Sequence, residues 1–230
     1  MTTNIQDLSQ NYADPVIAGR QRQTVERELA DMYRGKVCGY YALAGRVINQ
    51  IKIEGKQPKW ASATLLDIAC GSAYYSEVIE FLCPEWIDYV GMDYNPGMVE
   101  LAHKCYPGIR VEQGNILDIP FEQNSFDIVL SSATIGHVKD WPGAVRELVR
   151  VARTWLILHR NPIWLDGDSL TEQTVRRDYE VDVVVTQFRG QDLIDRVVSL
   201  GMELTEAYGM GEWSIPGTYT YLFKKEARDR

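Results

Sequence analysis

The stretch LLDIACGSAYYS (65–76) begins as a short apolar run that contains an aspartate, and it then continues into small residues. A short apolar run that stops at turn residues is typical of a buried strand, and YYSEVIEFL (74–82) has its apolar residues at helical spacing. Small residues at such a turn let a ligand approach the main chain, and N–H groups at a helix start attract an anionic group. The turn 69–73 therefore predicts a ligand site.

Strand-like and helix-like segments alternate from about residue 61 onward. This alternation favours a mostly parallel sheet with helices on both faces. The last two strands, MELTEAYG (202–209) and TYTYLFKK (218–225), are joined by too few residues for a parallel crossover. We therefore expect an α/β, Rossmann-like fold whose seven-stranded, mostly parallel sheet has its last strand antiparallel. The other predicted strands are TLLDIA (64–69), IDYVGMD (87–93), IRVEQGN (109–115), FDIVLSS (126–132) and TWLILHR (154–160).

Two segments fall outside this alternation. Residues 1–60 predict an N-terminal helical lid, with helices at about 15–34 and 38–54, before a core at 61–230. Residues 161–189 form an insertion in that core, which we expect to be part hairpin. Both segments are candidate lids over the carboxyl ends of the strands, where open α/β sheets bind ligands. Packing alone is the alternative role.

Composition narrows the class of partner. The formal net charge of the 230 residues is −8 and no basic run is present, which disfavours a nucleic-acid substrate and favours a small molecule. No apolar run reaches the ~18 residues of a membrane span, and the first residues lack the pattern of a secretory signal. The four cysteines lack metal-ligand spacing and are expected to be reduced thiols. We therefore expect a cytoplasmic protein without a metal, either a monomer or a homodimer.

Asp93 is the second candidate site residue. It lies at the predicted end of the second strand, 22 positions after Gly71. An acidic residue at this place is suited to accept hydrogen bonds from the hydroxyls of a ribose. An N-cap or turn aspartate is the alternative. A turn such as 69–73 and an acidic residue such as Asp93 occur in both nicotinamide and adenosyl cofactor sites, so these two features do not distinguish the two cofactors.

Further motifs make that choice. GMDYNPGMVELA (91–102) is followed by GNILDIPF (114–121), SFDIV (125–129) and HVKD (137–140). In this order and spacing, the chain resembles the class I S-adenosylmethionine-dependent methyltransferases over about 60–160. The resemblance implies S-adenosylmethionine as cofactor and S-adenosylhomocysteine as product. A nicotinamide enzyme is not expected to show the block IPFEQNSFDIV (119–129) or a final hairpin without a helix.

The resemblance also implies roles for individual residues. Asp67 would orient the glycine turn or meet the methionine ammonium, and Asp93 would hold the ribose. Tyr94 and Met98 would flank the adenine, and Asn115 would bind its amino group. The complete set of predicted cofactor-binding residues is Asp67, Ala69, Cys70, Gly71, Ala73, Asp93, Tyr94, Met98, Asn115, Ile116 and Ser131. For Met98 and Ile116, ordinary core packing is the alternative.

The chain departs from the family pattern at two places. Alanine replaces glycine at Ala69 and Ala73, which should still allow a ligand to approach the backbone closely if φ is negative there. The Lys-Pro-Gly-Gly turn that usually precedes strand five is replaced by residues 152–154, Ala-Arg-Thr, which we expect to leave the cofactor pocket intact.

His137 is the candidate general base, because it follows strand four and histidine titrates in the range that proton transfer needs. A histidine that only holds this loop is the alternative. Aromatic side chains of the lids could enclose an acceptor, or simply pack the lids onto the sheet, and Arg160 is a further acceptor-side candidate. The predicted substrate-side residues are Tyr12, Tyr40, His159, Trp164 and Tyr179.

The leading hypothesis is an enzyme that transfers a methyl group to N or O of a small-molecule acceptor. A non-catalytic S-adenosylmethionine-binding partner or regulator, a nicotinamide-dependent oxidoreductase, and a methyltransferase acting on protein or nucleic acid are the alternatives. Turnover and cofactor titration distinguish the first three.

Overall fold

The computed structural model describes residues 11–12, 14–51, 62–83, 87–164, 169–178, 181–209 and 217–225. The helices are α1 (Pro15–Tyr33), α2 (Gly39–Gln50), α3 (Tyr74–Leu82), α4 (Pro96–Cys105), α5 (Trp141–Val151) and α6 (Gly190–Val198). The strands are β1 (Ala63–Ile68), β2 (Ile87–Asp93), β3 (Arg110–Gln113), β4 (Phe126–Ser132), β5 (Ala152–Pro162), β6 (Glu172–Asp178), β7 (Val181–Gln187), β8 (Met202–Gly209) and β9 (Thr218–Lys225). None of these helices combines the length and the apolar character that crossing a membrane requires.

Seven of the strands form one sheet in the order β3-β2-β1-β4-β5-β9-β8. The pairs from β3 to β5 are parallel, and β9 is antiparallel to both of its neighbours. The predicted Rossmann-like sheet with a reversed last strand is therefore confirmed. The strand order changes direction between β1 and β4, which opens a crevice at their carboxyl ends.

Apolar side chains alternate along β1 and so build a core on each face of the sheet. Leu65 belongs to one buried cluster and Leu66 to the other, and both are fully buried. The buried face of α2, including Tyr41 and Val47, packs in the same cluster as Leu65. α2 is therefore part of the main core, and α1 contributes Val25, Leu29 and Met32 to the same cluster.

The predicted insertion contains a two-stranded hairpin, β6–β7, which is separate from the main sheet. β5 extends further than the sequence predicted, to Pro162, because its last residues pair with the first residues of β9. α2 ends at Gln50 rather than at about residue 54, and β3 is limited to Arg110–Gln113. The lid role of residues 1–60 and 161–189 stays a prediction.

Asp127 of the SFDIV motif is a structural residue. It is buried, accepts a hydrogen bond from the backbone N–H of Thr64 (2.9 Å), and forms an ion pair with Arg153 (2.7 Å). Arg153 belongs to the Ala-Arg-Thr segment that replaces the usual turn of the family. This segment therefore fastens the start of β5 to β4, at the end of the sheet opposite the crevice.

Candidate active site

A cavity of about 520 Å³ lies at the carboxyl ends of the parallel strands. This volume is within the range of small-molecule and cofactor sites. Its walls are the ends of β1, β2 and β5 and the segments that follow β3 and β4, together with residues of α1 and β7 from the two candidate lids. The cavity therefore joins the predicted cofactor turn to both candidate lids.

The turn between β1 and α3 has three residues with left-handed backbone conformation. The φ angles of Ala69, Gly71 and Ala73 are 59°, 58° and 59°. The condition of negative φ at the two alanines is therefore not met. Left-handed backbone costs a non-glycine residue about 1 kcal/mol or more, so the turn keeps its shape at the expense of stability. The backbone N–H of Cys70 donates to the carbonyl of Met92 (3.1 Å), which fixes this turn against β2.

Asp93 joins the turn to the end of β2. Its Oδ2 accepts the backbone N–H of Gly71 (2.7 Å), and its Oδ1 accepts that of Asn95 (2.8 Å). Burial raises the pKa of Asp93 above its ordinary value, while these N–H donors act in the opposite direction. The residue is almost completely buried and lines the cavity. Its carboxylate is therefore held rigidly at the position predicted for a ribose acceptor.

Asp67 lies behind the turn and does not line the cavity. Its Oδ2 accepts a hydrogen bond from the hydroxyl of Tyr89 (2.7 Å), whereas its Oδ1 is buried without a hydrogen-bond partner among the described residues. Burial raises the pKa of Asp67 to about 7. A direct contact with a bound ligand is therefore less well supported than a role in shaping the turn.

Only some of the residues predicted to surround an adenine line the cavity. Tyr94, Asn115 and Ile116 line the cavity. Asn115 Oδ1 accepts the backbone N–H of Leu117 (2.9 Å), which leaves its amide group as the part that can donate to a ligand. Met98 packs in a small apolar cluster with residues of α1 and does not line the cavity. The core alternative is thus favoured for Met98.

Comparisons with known proteins agree with this geometry. A family model described as a methyltransferase domain matches residues 66–155. A probable S-adenosylmethionine-dependent methyltransferase of Mycobacterium tuberculosis is 27% identical over 105 residues, which are 46% of this chain and 37% of that protein. A demethylmenaquinone methyltransferase of Bacillus licheniformis is 28% identical over 94 residues, 40% of each chain. Residues 66–155 therefore match a methyltransferase domain and are similar to S-adenosylmethionine-dependent methyltransferases.

The match spans less than half the length of these two relatives. An S-adenosylmethionine-bound amino pentose methyltransferase of Micromonospora echinaspora has a TM-score of 0.60 at 17% identity, covering 86% of this chain and 96% of that one. At this identity the likeness concerns the fold, and it extends beyond the matched segment. The resemblance to methyltransferases that the sequence indicated is confirmed.

The cavity of the methyltransferase domain fits an adenosyl cofactor. A buried carboxylate, Asp93, stands beside the apolar side chains of Ile68, Met92 and Ile116. Gln21 of α1 reaches over the turn so closely that a Cβ on Gly71 would lie 2.5 Å from its Oε1. That oxygen is buried and has no hydrogen-bond partner among the described residues. Two acceptor groups, the Asp93 carboxylate and the Gln21 carbonyl, both lie close to the Gly71 backbone and suit a molecule that carries hydroxyl or ammonium donors.

The loop after β4 brings His137 to the cavity. Its Nδ1 lies 3.0 Å from the backbone carbonyl of Val184 on β7. Because a carbonyl oxygen only accepts hydrogen bonds, Nδ1 carries the proton in this contact. The same histidine packs against the ring of Tyr12, with ring centroids 5.2 Å apart. His137 thus links the methyltransferase domain to the hairpin and to the N-terminal segment.

Four other predicted site residues have their side chains outside the cavity lining. Cys70 and Ala73 contribute their backbone to the turn, and Ser131 has a buried hydroxyl without a hydrogen-bond partner among the described residues. His159 is completely buried, and its Nδ1 lies 2.7 Å from Thr220 Oγ1. Burial lowers the pKa of His159 to about 3, so it is a neutral core residue.

The remaining substrate-side predictions have mixed outcomes. Tyr12 lines the cavity, and Tyr40 lies beneath the guanidinium of Arg160, which does line it. Trp164 has its backbone N–H bonded to the carbonyl of Phe188 (2.9 Å) and does not line the cavity. Tyr179 lies outside the described residues.

Sequence reasoning missed Gln21, Tyr74 and Thr134, which all line the cavity. Gln21 is one polar residue among many on a helix, so nothing in the sequence marks it as a site residue. Tyr74 was assigned only as a residue of α3. The position of Thr134, directly after β4, was the available signal, because residues that follow parallel strands reach the ligand crevice.

Proposed function

We propose that this protein transfers the methyl group of S-adenosylmethionine to N or O of a small-molecule acceptor. The observation that carries the proposal is the continuity of one cavity from the turn held by Asp93 to the loop that carries His137. The names of the relatives support the cofactor. A cavity covered by α1 and the β6–β7 hairpin favours a small acceptor over a protein or nucleic-acid chain.

The residues that would hold the cofactor follow from their positions. Asp93 would accept hydrogen bonds from the ribose hydroxyls, and the backbone of the turn 69–73 would approach the methionyl part. Asn115 would donate to the adenine from its amide group, with Ile116 providing apolar contact. Gln21 would accept a hydrogen bond from α1, so that this helix closes on the occupied site.

S-adenosylmethionine, when bound, supplies an electrophilic methyl group on a sulfonium sulfur. The protein then needs to position the acceptor and to exclude water, and this alone supplies a large part of the acceleration of such a reaction. Tyr12 and Val185 support this role, because they come from two separate lids and line the same cavity. Both lids must therefore be in place for the acceptor to be enclosed.

His137 would act as general base for an acceptor that must lose a proton. The Val184 carbonyl holds its Nδ1–H, which leaves the lone pair on Nε2 as the basic site. An amine acceptor that arrives deprotonated would not need this step. Whether the reaction needs a general base therefore depends on the acceptor as well as on the site.

The first test is a calorimetric titration of the purified protein with S-adenosylhomocysteine and, separately, with NAD, repeated on Asp93→Ala. We expect micromolar binding of S-adenosylhomocysteine that is lost in the variant, and no binding of NAD. Transfer of a labelled methyl group from S-adenosylmethionine to members of an acceptor library then tests for turnover. Binding without transfer to any acceptor would favour a non-catalytic module, and tight NAD binding would refute the proposal.

A further inference from the structure

Arg160 occupies an unusual backbone position at the carboxyl end of β5. Its φ angle is 58°, and it lies where the pairing of β5 with β9 shifts register between Leu158 and Asn161. Bulges of this kind redirect side chains that would otherwise alternate between the two faces of a strand. Here His159 contacts Tyr75 and the next residue, Arg160, contacts Tyr40, so both side chains meet tyrosines of α2 and α3. The bulge thus turns a cation toward the cavity.

The guanidinium of Arg160 is held by aromatic rings. Its Cζ lies 4.1 Å from the ring centroid of Tyr40, a cation–π contact. Burial lowers the pKa of Arg160, but the neighbouring phenols of Tyr75 and Tyr74 more than offset this, and the pKa stays above its usual range. The side chain is therefore a permanent positive charge in a half-buried position.

No carboxylate neutralises this charge at contact distance. Within the described ranges, the guanidinium of Arg160 makes no ion pair and no hydrogen bond. Glu28 acts on the guanidinium of Arg160 only through space. The carboxylate of Glu28 instead accepts a hydrogen bond from the hydroxyl of Tyr41 (3.0 Å). Among the lining residues that the structure describes, Arg160 is also the one Lys or Arg. A half-buried cation without a carboxylate partner is costly unless a ligand supplies the missing negative charge.

The position of β5 in the sheet indicates which ligand that is. β5 is separated from β1 by β4, and from β2 by β4 and β1. At the usual spacing of strands, Arg160 is about 10 Å from the glycine turn and about 14 Å from the strand that ends in Asp93. The cofactor site lies on those two strands, so Arg160 belongs to the part of the cavity beyond it.

We infer that Arg160 binds an anionic group, a carboxylate or a phosphate, on the methyl acceptor. The inference rests on the proposed function and gives it a substrate class. Because Tyr40 covers a face of the guanidinium, the N–H donors at its edges are the groups that a ligand can reach. These donors match a planar carboxylate or a phosphate in two-point contact.

The test uses the protein saturated with S-adenosylhomocysteine, so that cofactor binding and acceptor binding are read separately. The probes are benzoate and phenyl phosphate, with benzamide as the neutral analogue, titrated by NMR at constant ionic strength. Arg160→Met removes the charge, and Arg160→Lys keeps it without the forked donors. Arg46→Met is the matched control, because Arg46 also lies over a tyrosine (Tyr208, 5.4 Å) but does not line the cavity.

We expect at least one anionic probe to bind the wild type about tenfold or more tightly than benzamide, the usual effect of a hydrogen bond to a charged group. Arg160→Met should abolish this preference, Arg160→Lys should retain part of it, and Arg46→Met should leave it unchanged. S-adenosylhomocysteine affinity should stay within twofold of the wild type in all three variants, which also shows that they are folded.

Three results would overturn the inference. The wild type could show no preference for the anions, or the preference could persist in Arg160→Met. Alternatively, Arg160→Met could bind S-adenosylhomocysteine tenfold more weakly, which would assign Arg160 to the methionyl carboxylate of the cofactor. Absence of S-adenosylhomocysteine binding in the wild type is a different result, because it refutes the proposed function itself.

Discussion

The backbone N–H of Gly71 donates a 2.7 Å hydrogen bond to Oδ2 of Asp93. Gly71 lies in the turn after β1 and Asp93 is the last residue of the neighbouring parallel strand β2, so this bond fastens the turn to the end of β2. The other carboxylate oxygen accepts the N–H of Asn95 and holds the start of α4. One side chain therefore sets the shape of the cofactor turn and presents the proposed ribose acceptor.

We expect Asp93→Asn to weaken S-adenosylhomocysteine binding at least tenfold and to lower the free energy of unfolding by about 1–3 kcal/mol. Each carboxylate oxygen of Asp93 accepts one backbone N–H, from Gly71 or from Asn95. In asparagine one of these oxygens becomes an NH2 group, which would face an N–H donor and could not accept its hydrogen bond. Calorimetry and urea denaturation measure the two effects. Asp88→Asn, on an exposed position of the same strand, is the control and should change neither. Unchanged binding in Asp93→Asn would contradict the assigned role.

Much of the site could be predicted because it depends on local sequence. The turn 69–73, Asp93 and Asn115 each follow a strand that is recognisable from its own residues. Since the carboxyl ends of parallel strands meet at one edge of the sheet, residues that are distant in the chain were expected to come together. The reversed last strand also followed from a local quantity, the length of the connection before it.

The rest depends on contacts between distant segments. The bulge that aims Arg160 arises from the pairing of β5 with β9, which the sequence of β5 alone does not specify. Met98 turns to the α1 contact because the packing of two helices decides its direction. The left-handed alanines were missed for another reason. Glycine is the usual signal for positive φ, and Ala69 and Ala73 adopt it without that signal.

Asn95 connects the N-terminal segment to the cofactor turn, and we expect Asn95→Asp to loosen that segment. Its Oδ1 caps α4 by accepting the N–H of Gly97 (2.8 Å), while its Nδ2 donates to the carbonyls of Tyr12 (2.6 Å) and Asp14 (3.2 Å). Aspartate keeps the cap but loses both donated bonds. Amide hydrogen exchange in the first turn of α1 should accelerate about tenfold, and S-adenosylhomocysteine should bind more weakly.

Asn49→Asp is the matched control for this experiment. Asn49 donates an amide hydrogen bond of the same kind, from α2 to the carbonyl of Leu82 (3.0 Å). Its replacement should leave exchange at the start of α1 unchanged. Equal exchange in Asn95→Asp and the wild type would show that α1 is held by its apolar contacts alone.

Asp67 should make the stability of the protein pH-dependent. Burial raises its pKa in the folded state from 3.8 to about 7, so between these values the folded state binds more protons than the unfolded state. The contribution of Asp67 to the free energy of unfolding is complete below pH 4. It is lost as the pH rises toward 7, by up to about 1.4 kcal/mol per pH unit. Relative to the wild type, Asp67→Asn should therefore gain stability between pH 4.5 and 6.5. Urea denaturation without cofactor measures this, and parallel pH profiles for the two proteins would refute it.

His137→Gln tests whether the histidine takes a proton from the acceptor. General bases contribute about 10²- to 10⁴-fold, so we expect kcat with a hydroxyl acceptor to fall at least 100-fold while S-adenosylhomocysteine affinity stays within threefold. His103→Gln is the matched control, because His103 Nε2 makes the same kind of contact with a carbonyl, that of Val111 (3.0 Å), away from the cavity. Added imidazole should restore part of the activity of His137→Gln, since a small base can enter the space left by the ring. A loss that imidazole does not restore, accompanied by weaker binding of S-adenosylhomocysteine, would instead indicate that His137 only holds β7 in place through Val184.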